Sequence, residues 1–426
     1  MEIIRALSSL VWGLPTVTLL LGFGIYFGFK LRENKLLSIP YVYKNTFGSL
    51  KKPAKPKSGG LSPLSALATA LGGTVGVGSI TGVALSIKLG GAGSVFWIWV
   101  CSIIGIFLKY AEVFISHHRR KRLNDHLIGG AMLCLSDLGF KRTAGIFSAF
   151  CVFASFGNAT VQSNAVSKSL TALGLQPKIS ALLIASCILF ITLGGREKIA
   201  RFNSMAVPFF SISFILFCFV ILLINIKFFP KALLRIVTEA FGIREAGSGI
   251  TAGLFLNALK VGTVRGTFSH EAGMGSSAIA HASSSETNSH VQGLWGATEV
   301  FIDSFIVSTL TAFCILCSGF DDVGRMFENF FGTVGQIYFT CAIAVFAFAA
   351  IISWVYYGES MILQLKSRAL FIKVFCIITA FTAFFGALSN TEGVFIIADL
   401  FNGLMIFPNL FLLYNLRSEI VCAGKV

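Results

Sequence analysis

Two short glycine-rich stretches carry the residue types that could bind a ligand through the backbone. "GGTVGVGS" covers residues 72–79 and "EAGMGS" covers residues 271–276, and both contain a Gly-x-Gly-Ser core. Clusters of this kind either cradle phosphates with their amides or interrupt helices. A dinucleotide fingerprint needs a third glycine where Thr81 stands, and a P-loop needs a lysine that the first stretch lacks. The clusters therefore predict interrupted helices.

Polar side chains near these clusters could do further chemistry. Glu271 lies in the second cluster, where it could cap exposed amides, carry a proton or contact an amine, and the neighbouring His270 could titrate or hydrogen-bond the broken backbone. Gln162 and Asn164 interrupt an apolar segment, and either could be a site residue or an interhelical hydrogen-bonding residue. Trp354 could form the wall of a small pocket or pack in the core.

The remaining polar candidates indicate structure more than chemistry. Asp303, Glu359 and Asp399 are single acids near apolar runs, and we interpret them as structural hydrogen-bond partners. Cys314 and Cys317 have metal-like spacing but no second pair accompanies them, so we expect packing. The sequence shows no metal-spaced set, no nucleophile–base pattern and no nucleotide-binding domain. We expect neither an enzyme nor a bound metal or other cofactor.

Composition shows what kind of elements position these residues. The 426-residue chain is 55% hydrophobic and 12% charged, with a mean hydropathy of +0.80. Its apolar runs are long and continuous, which predicts an all-α polytopic membrane protein rather than a barrel. About eleven transmembrane helices are predicted, over residues 9–30, 62–88, 92–116, 143–172, 178–194, 203–226, 249–281, 295–318, 333–365, 369–387 and 394–416.

The placement of charge predicts the orientation. The formal net charge is +15, and lysines and arginines concentrate in alternate loops, at residues 30–57, 119–122, 196–201 and 366–373 and after residue 416. Under the positive-inside rule, the N-terminus is outside and the C-terminus is cytoplasmic. The longer basic loop over residues 227–244 goes against this pattern. The loop pattern favours a membrane protein over a nucleic-acid-binding one.

The two glycine clusters occupy matching positions in two halves of the chain. The second and seventh predicted helices each begin a set of five, over residues 62–226 and 249–416. We divide the chain into an extra N-terminal helix with a basic loop (1–58) and two five-helix repeats (59–226 and 227–426). Glycine-interrupted helices in corresponding positions are typical of transporter sites, where half-helix amides bind anions and unwound carbonyls bind cations. The alternative is close helix packing through glycine.

Several long motifs in order make the chain resemble the alanine/glycine:cation symporters of prokaryotes. They are "LSPLSALATALGGTVGVGSITGVALSIKLGGAGSVFWIWV", "GTVRGTFSHEAGMGSSAIAHA", "EVFIDSFIVSTLTAFCIL", "SWVYYGE" and "ADLFNGLMIFPNL". The resemblance covers nearly the whole chain. It implies a LeuT-like 5+5 inverted repeat with one extra N-terminal helix and broken first and sixth core helices. It also implies inward transport of small amino acids with Na⁺ or H⁺.

The resemblance and the glycine clusters together give the expected site. Substrate-binding candidates are Gly76, Val77, Gly78, Ser79, Gln162, Phe268, Ser269, His270, Gly273, Gly275 and Trp354. Ion-coupling candidates are Gly73, Val75, Ser353, His270 and Glu271. Ala349 and Ala350 stand where the family often has a hydroxyl pair that completes a sodium site. We therefore hypothesise weakened or absent Na⁺ coupling, with His270 or Glu271 as proton carriers.

These observations predict a secondary active transporter in the cell membrane. We expect it to import small neutral amino acids, alanine or glycine first and with D-alanine an open option, by alternating access coupled to Na⁺ or H⁺. The alternatives are an uncoupled amino-acid exchanger and a pore or solute-sensing receptor without coupled transport. The expected partners are the amino acid and the lipid bilayer. Neither nucleic acid nor an obligate protein partner is expected.

Overall fold

The structure is a computed structural model that describes residues 2–51, 60–76, 78–123, 126–243, 251–365, 369–389 and 391–423. Strands β1 (Lys121–Leu123) and β2 (His126–Ile128) form an antiparallel hairpin. The α-helices are α1 (Glu2–Val11), α2 (Leu14–Lys30), α3 (Ile39–Asn45), α4 (Pro63–Thr74), α5 (Thr81–Gly90), α6 (Gly93–His118), α7 (Ala131–Asp137), α8 (Lys141–Ala172), α9 (Pro177–Thr192), α10 (Arg196–Ile224), α11 (Phe229–Ala240), α12 (Thr251–His270), α13 (Ala278–Ala282), α14 (Ser289–Val300), α15 (Thr309–Ser318), α16 (Val323–Gln364), α17 (Ala369–Leu388), α18 (Thr391–Asn415) and α19 (Arg417–Ala423). Short 3₁₀ turns (Arg32–Asn34, Phe47–Lys51 and Ile226–Phe228) and a π-helix (Phe301–Ser308) complete the helical structure of the described residues.

The described chain contains the predicted membrane-spanning helices. Eight helical segments are long and apolar enough to cross a membrane. The shorter apolar helix α9 and two interrupted helices, α4 with α5 and α12 with α13, bring the number to eleven. The predictions of an all-helical bundle and of broken first and sixth core helices are confirmed. Some basic loop residues used to predict orientation (Lys52, Lys55, Lys57, Arg244, Lys366, Arg368 and Lys425) lie outside the described residues.

Local backbone chemistry shifts several predicted boundaries. The predicted helix 9–30 is divided into α1 and α2, because Gly13 is extended and Pro15, which lacks an amide hydrogen, fits only the first turn of a helix. The helix α10 begins at Arg196 rather than at residue 203, directly after Gly195, whose φ is 82°. A non-helical Gly332 (φ 60°, ψ −150°) interrupts α16, so its membrane part matches the predicted 333–365.

The N-terminal helices pack on the outside of the remaining bundle. The helix α2 lies against α6, and Gly24 permits this approach because a methyl group there would overlap Ile104. The helix α1 lies against α18, where Trp12 Nε1 donates to the Asp399 carbonyl at 2.7 Å. These contacts fix the first helix without placing it between the two interrupted helices.

The interrupted helices occupy the interior of the bundle. The first, α4, contacts α10 and α16, and the second, α12, contacts α5 and α6. Most residues around both interruptions are buried. In a membrane, irregular backbone is tolerated only where protein or a cavity surrounds it.

Candidate functional site

The first helix break lies between α4 and α5, over residues 75–80. Gly76 and Gly78 have φ values outside the left-handed region, and a methyl group at either position would come no nearer than 3.5 Å to the surrounding protein atoms. Neither backbone strain nor close packing therefore requires glycine there. A single methyl group would fit at either position, in ordinary van der Waals contact with its neighbours. Val77, also predicted to line the site, lies outside the described residues.

The glycines just before this break have a different role. A methyl group at Gly72 would lie 2.8 Å from Ser353 Oγ, and one at Gly73 would lie 2.7 Å from Tyr357 Oη. Both glycines let α16 approach α4 closely, which is the packing alternative considered for the cluster. The contacts of Gly73 thus give no support to its predicted role in ion coupling.

The second break, between α12 and α13, is a left-handed turn. Glu271 (φ 53°), Gly273 (φ 96°) and Gly275 (φ 73°) all adopt positive φ. Glycine is required at 273 and 275 because side chains are strained in this conformation. Glu271 carries this strain as a non-glycine residue, a feature that often marks functional sites.

Three polar side chains hold the second break in place. Glu112 on α6 accepts a hydrogen bond from the Gly273 amide at 2.7 Å, and Asn409 on α18 donates to the Gly273 carbonyl at 3.0 Å. Asn409 also donates to Glu112 at 2.6 Å, and Ser276 Oγ donates to Glu271 Oε2 at 2.5 Å. Glu271 thus bonds a hydroxyl within the second break. The sequence reasoning missed Glu112 and Asn409.

The two breaks face each other. A methyl group at Gly78 would lie 3.5 Å from Ser269 Cα and 3.6 Å from a ring carbon of Phe268. The hydroxyls of Ser79 and Ser269 lie 3.1 Å apart. Residues nearly two hundred positions apart in sequence thus form one small site, and they include four of the predicted substrate-binding residues.

One buried acid joins both breaks. Asp303, in the π-helix after α14, accepts hydrogen bonds from Ser269 Oγ at 2.6 Å, from Ser79 Oγ, and from Ser304 Oγ at 3.2 Å. Ser79 Oγ also lies 3.3 Å from the Thr74 carbonyl oxygen, at the end of α4. Carboxylate, hydroxyl and carbonyl oxygens thus converge near the negative end of a helix dipole, where a cation is stabilised. Sequence reasoning treated Asp303 as a structural partner.

The amide of Gln162 on α8 contributes an acceptor beside the first break. Its Oε1 is buried without a hydrogen-bond partner among the described residues, and lies 3.5 Å from the position of a methyl group at Gly76. An unpaired buried carbonyl oxygen is costly unless a ligand donates to it. Asn164, in contrast, donates to the carbonyls of Gly386 and Ser389, which is the interhelical role expected of it.

The hydroxyl of Ser353 on α16 is committed to protein partners. It donates to the Thr69 carbonyl and accepts a hydrogen bond from Asn203 Nδ2, both at 2.8 Å. Ala349 and Ala350, one turn earlier, are fully buried and present no side-chain oxygen. Ser353 thus links α4, α10 and α16 through hydrogen bonds to neutral groups.

Two other predicted site residues, His270 and Gly275, connect the second break to the surrounding bundle. His270 Nδ1 accepts a hydrogen bond from the Ala272 amide at 3.1 Å, and the ring packs against Gly105 of α6. Gly275 lies against the Asn409 side chain. These contacts are with the bundle and not with the first break.

Trp354 and Val75 pack within the protein. The Trp354 carbonyl accepts from Ser155 Oγ at 2.9 Å, and its ring meets Tyr357 edge-on with centroids 5.5 Å apart. The side chain of Val75 is fully buried among apolar residues. Val75 is the first residue of the first break, but its side chain packs in the core, and the contacts of Trp354 are with α8 and α16.

A buried polar network, also missed in the sequence, fixes α13. Lys109 Nζ donates to Ser277 Oγ at 2.6 Å and lies 3.5 Å from Glu299 Oε1. Glu299 Oε2 lies 3.0 Å from His281 Nε2, and His281 Nδ1 is 2.7 Å from Gln292 Nε2. Paired in this way, two charges are tolerated in the interior. Among the described residues, no group of three His, Cys, Asp or Glu side chains could hold a metal ion.

The two ends of the bundle differ in access to the site. A cavity of about 560 Å³ lies between α5, α8 and α16 and reaches Val161, next to Gln162. At the opposite end, Leu61 pairs through backbone hydrogen bonds with Ser283 and Ser285 at 2.8 and 2.6 Å. We call the end that contains this cavity the vestibule end. The end that is closed by Leu61 contains Arg119, Arg120 and the start of α10, and we call it the basic end.

Comparison with known proteins identifies the chain. The model of the sodium:alanine symporter family matches residues 1–425. The chain belongs to this family. A sodium/alanine symporter of Methanococcus maripaludis is 32% identical, with 100% of this chain and 96% of the relative covered. A probable sodium/glutamine symporter of Bacillus subtilis is also 32% identical, with 100% and 90% covered.

The fold is also shared with solved transporters. MhsT in complex with L-phenylalanine superposes with a TM-score of 0.63 at 16% identity, covering 87% of this chain and 93% of the other. The predicted LeuT-like fold is confirmed. Membership in a family of sodium-coupled symporters makes the chain a membrane transporter and not an enzyme.

Proposed function

We propose that the chain imports alanine or glycine together with Na⁺ by alternating access. The observation that carries this proposal is the pair of facing breaks, in which an unpaired Gln162 oxygen lies 3.5 Å from the methyl position at Gly76 and the buried carboxylate of Asp303 bonds both Ser79 and Ser269. An amino acid needs an acceptor for its ammonium group, which Gln162 Oε1 offers, and donors for its carboxylate.

The expected position of the amino acid follows from helix electrostatics. The first amides of α5 have no acceptor within their own helix and lie at the positive end of its dipole. The carboxylate would bind there, next to Gly78 and Ser79, and the ammonium group would donate to Gln162 Oε1. Phe268 would then close the space available to the side chain.

Size favours alanine and glycine over larger amino acids. The methyl position at Gly78 is 3.6 Å from the Phe268 ring, and that at Gly76 is 3.5 Å from Gln162. One methylene in such a pocket changes binding by about 1–3 kcal/mol. The relative that is named for glutamine transport is equally similar to this chain, so the substrate itself needs direct measurement.

The oxygens around Asp303 favour Na⁺ as the coupling ion. A hard cation prefers carboxylate, hydroxyl and carbonyl ligands, which Asp303, Ser79, Ser269 and the Thr74 carbonyl provide. The proton-carrier hypothesis for His270 and Glu271 gains no support from their contacts, since both side chains accept hydrogen bonds that hold the second break. We propose one strong Na⁺ site and no second site at Ala349 and Ala350.

The proposed location is the cell membrane, with the basic end in the cytoplasm. The positive-inside rule supports this orientation, which places the vestibule outside. Import would then require the contacts of Leu61 to open.

Counterflow of labelled alanine in proteoliposomes tests the proposal. We expect saturable exchange of alanine and glycine, and net uptake that is lost when choline replaces Na⁺ and persists when the pH gradient is collapsed. Uptake that ignores Na⁺ but collapses with the pH gradient would support proton coupling instead. Exchange without net uptake would indicate an exchanger, and flux that does not saturate would indicate a pore. Alanine binding without any flux would indicate a receptor.

A further inference from the structure

A second cavity lies at the basic end of the bundle. It has a volume of about 420 Å³ and lies between the start of α4, the β1–β2 hairpin, the start of α10 and the end of α16. Ser62, which caps α4, lines it, and α4 runs from there to the first break, roughly 18 Å away at 1.5 Å per residue. A solute that leaves the central site along α4 would enter this cavity.

Arg196 is a buried cation in the wall of this cavity. The residue is 92% buried. Its Nη2 donates to Ser283 Oγ at 3.2 Å and to Ser360 Oγ at 3.0 Å, and its guanidinium carbon lies 4.1 Å from the centre of the Tyr356 ring. Its Nε has no acceptor among the described residues. A buried guanidinium with two hydroxyl contacts and an unpaired N–H is suited to bind an oxyanion.

The charged groups around Arg196 leave this role open to a ligand. Glu359 on α16 attracts Arg196 electrostatically, but its Oε1 accepts a hydrogen bond from Cys376 at 3.4 Å. Glu197 and Arg201 also line the cavity, but both are exposed to solvent. Of these groups, Arg196 alone is a charged side chain that is both buried and short of a hydrogen-bond partner.

The same contacts close this end of the molecule. Ser283 bonds Arg196 through its hydroxyl and Leu61 through its carbonyl. An anion that bonds the guanidinium would compete with Ser283 Oγ and so weaken the link between α10 and the segment after α13. Binding at Arg196 and opening of the basic end are therefore coupled through one residue.

We propose that Arg196 binds the carboxylate of the transported amino acid in this cavity, as a second, weaker site on the release path. The proposal rests on the proposed amino-acid transport. The site differs from the central one in needing no Na⁺, because its charge comes from the guanidinium.

Binding of propionate, a carboxylate without an amine, tests this site directly. Titration calorimetry on the purified full chain in choline buffer should give millimolar binding to the wild type. We expect at least tenfold weaker binding by Arg196→Gln, and Arg196→Lys should retain part of it. The exposed Arg142→Gln removes the same charge elsewhere and should bind like the wild type. Thermal unfolding of each variant checks that it is folded.

The KM for alanine, measured separately from each side of the membrane, provides the second test. In inverted vesicles, Arg196→Gln should raise the KM for alanine at least fivefold. When alanine is added from the vestibule side, the KM of the same variant should stay within twofold of the wild-type value. Equal propionate binding by wild type and folded Arg196→Gln, or no binding by either, would overturn the proposal. Absence of alanine flux in the wild type would instead overturn the transport function, while propionate binding would still report on Arg196.

Discussion

At the scale of single residues, hydrogen bonds between residues that lie far apart in sequence were the hardest feature to predict. The sequence identified Gln162, Ser79 and Ser269 beside the breaks, but Asp303 looked like any other isolated acid in an apolar run. Its role depends on two hydroxyls that lie 224 and 34 residues away in sequence. Glu112 and Asn409 were missed for the same reason, since no local pattern reports which buried polar group meets unwound backbone.

The substitution Asp303→Asn tests the proposed Na⁺ site. It keeps the size and one acceptor oxygen but removes the negative charge that stabilises a cation. We expect the Na⁺ concentration for half-maximal alanine uptake to rise about tenfold or more, equivalent to about 1.4 kcal/mol of lost cation binding. The measurement is a Na⁺ titration of alanine uptake in proteoliposomes.

A second acid at membrane depth provides the control for this prediction. Asp399 lies 3.7 Å from Arg265 and away from the contacts of the two breaks, so Asp399→Asn should leave the half-maximal Na⁺ concentration within twofold of wild type. An unchanged Na⁺ requirement in folded Asp303→Asn would show that the coupling ion binds elsewhere.

At the scale of elements, the sequence predicted the number, order and interruptions of the helices. Long apolar runs determine which segments span the membrane, and the glycine clusters of residues 72–79 and 271–276 determine where two of them unwind. The same patterns could not distinguish glycines whose surroundings accept a methyl group, such as Gly76, from glycines that admit a neighbouring helix, such as Gly73. That distinction depends on the packing partner, which the sequence alone does not specify.

Replacement of one glycine by alanine in each break should separate space for a ligand from backbone strain. Gly78→Ala should change the free energy of unfolding by no more than about 0.5 kcal/mol, because φ and protein contacts both accept a methyl group. It should raise the KM for alanine at least tenfold and impair glycine uptake less. Gly273→Ala should destabilise the protein by about 1–2 kcal/mol, because its φ is 96° and the methyl group would overlap Leu20.

Thermal unfolding and uptake kinetics on the same preparations measure both effects. Reversed effects, with Gly78→Ala unstable but kinetically normal, would mean that the first break is packed by protein and is not the substrate site. The bulkier Gly78→Leu should abolish uptake in a folded protein.

At the scale of the whole molecule, the two ends of the bundle are unequal. The vestibule end contains a cavity that reaches Val161, next to Gln162, whereas at the basic end backbone hydrogen bonds of Leu61 and side-chain bonds of Arg120 and Arg196 join neighbouring segments around a smaller cavity. Loop charge predicted which end is cytoplasmic, but charge carries no information about which end is open. That property depends on contacts between α4, α10 and the segment after α13, which alternating access requires to form and break.

Thiol labelling from one side of the membrane tests the orientation with a native residue. The exposed cysteines are Cys187, Cys341 and Cys422, and the first two lie within apolar membrane helices, where a charged reagent does not enter. Cys422 lies on α19, which contacts the basic end of α6 through Arg119 and Glu419. A membrane-impermeant maleimide should therefore label the wild-type protein in inverted vesicles but not in sealed right-side-out vesicles. The Cys422→Ser variant should remain unlabelled in both preparations. Labelling of right-side-out vesicles that Cys422→Ser abolishes would place the basic end outside and reverse the proposed direction of import.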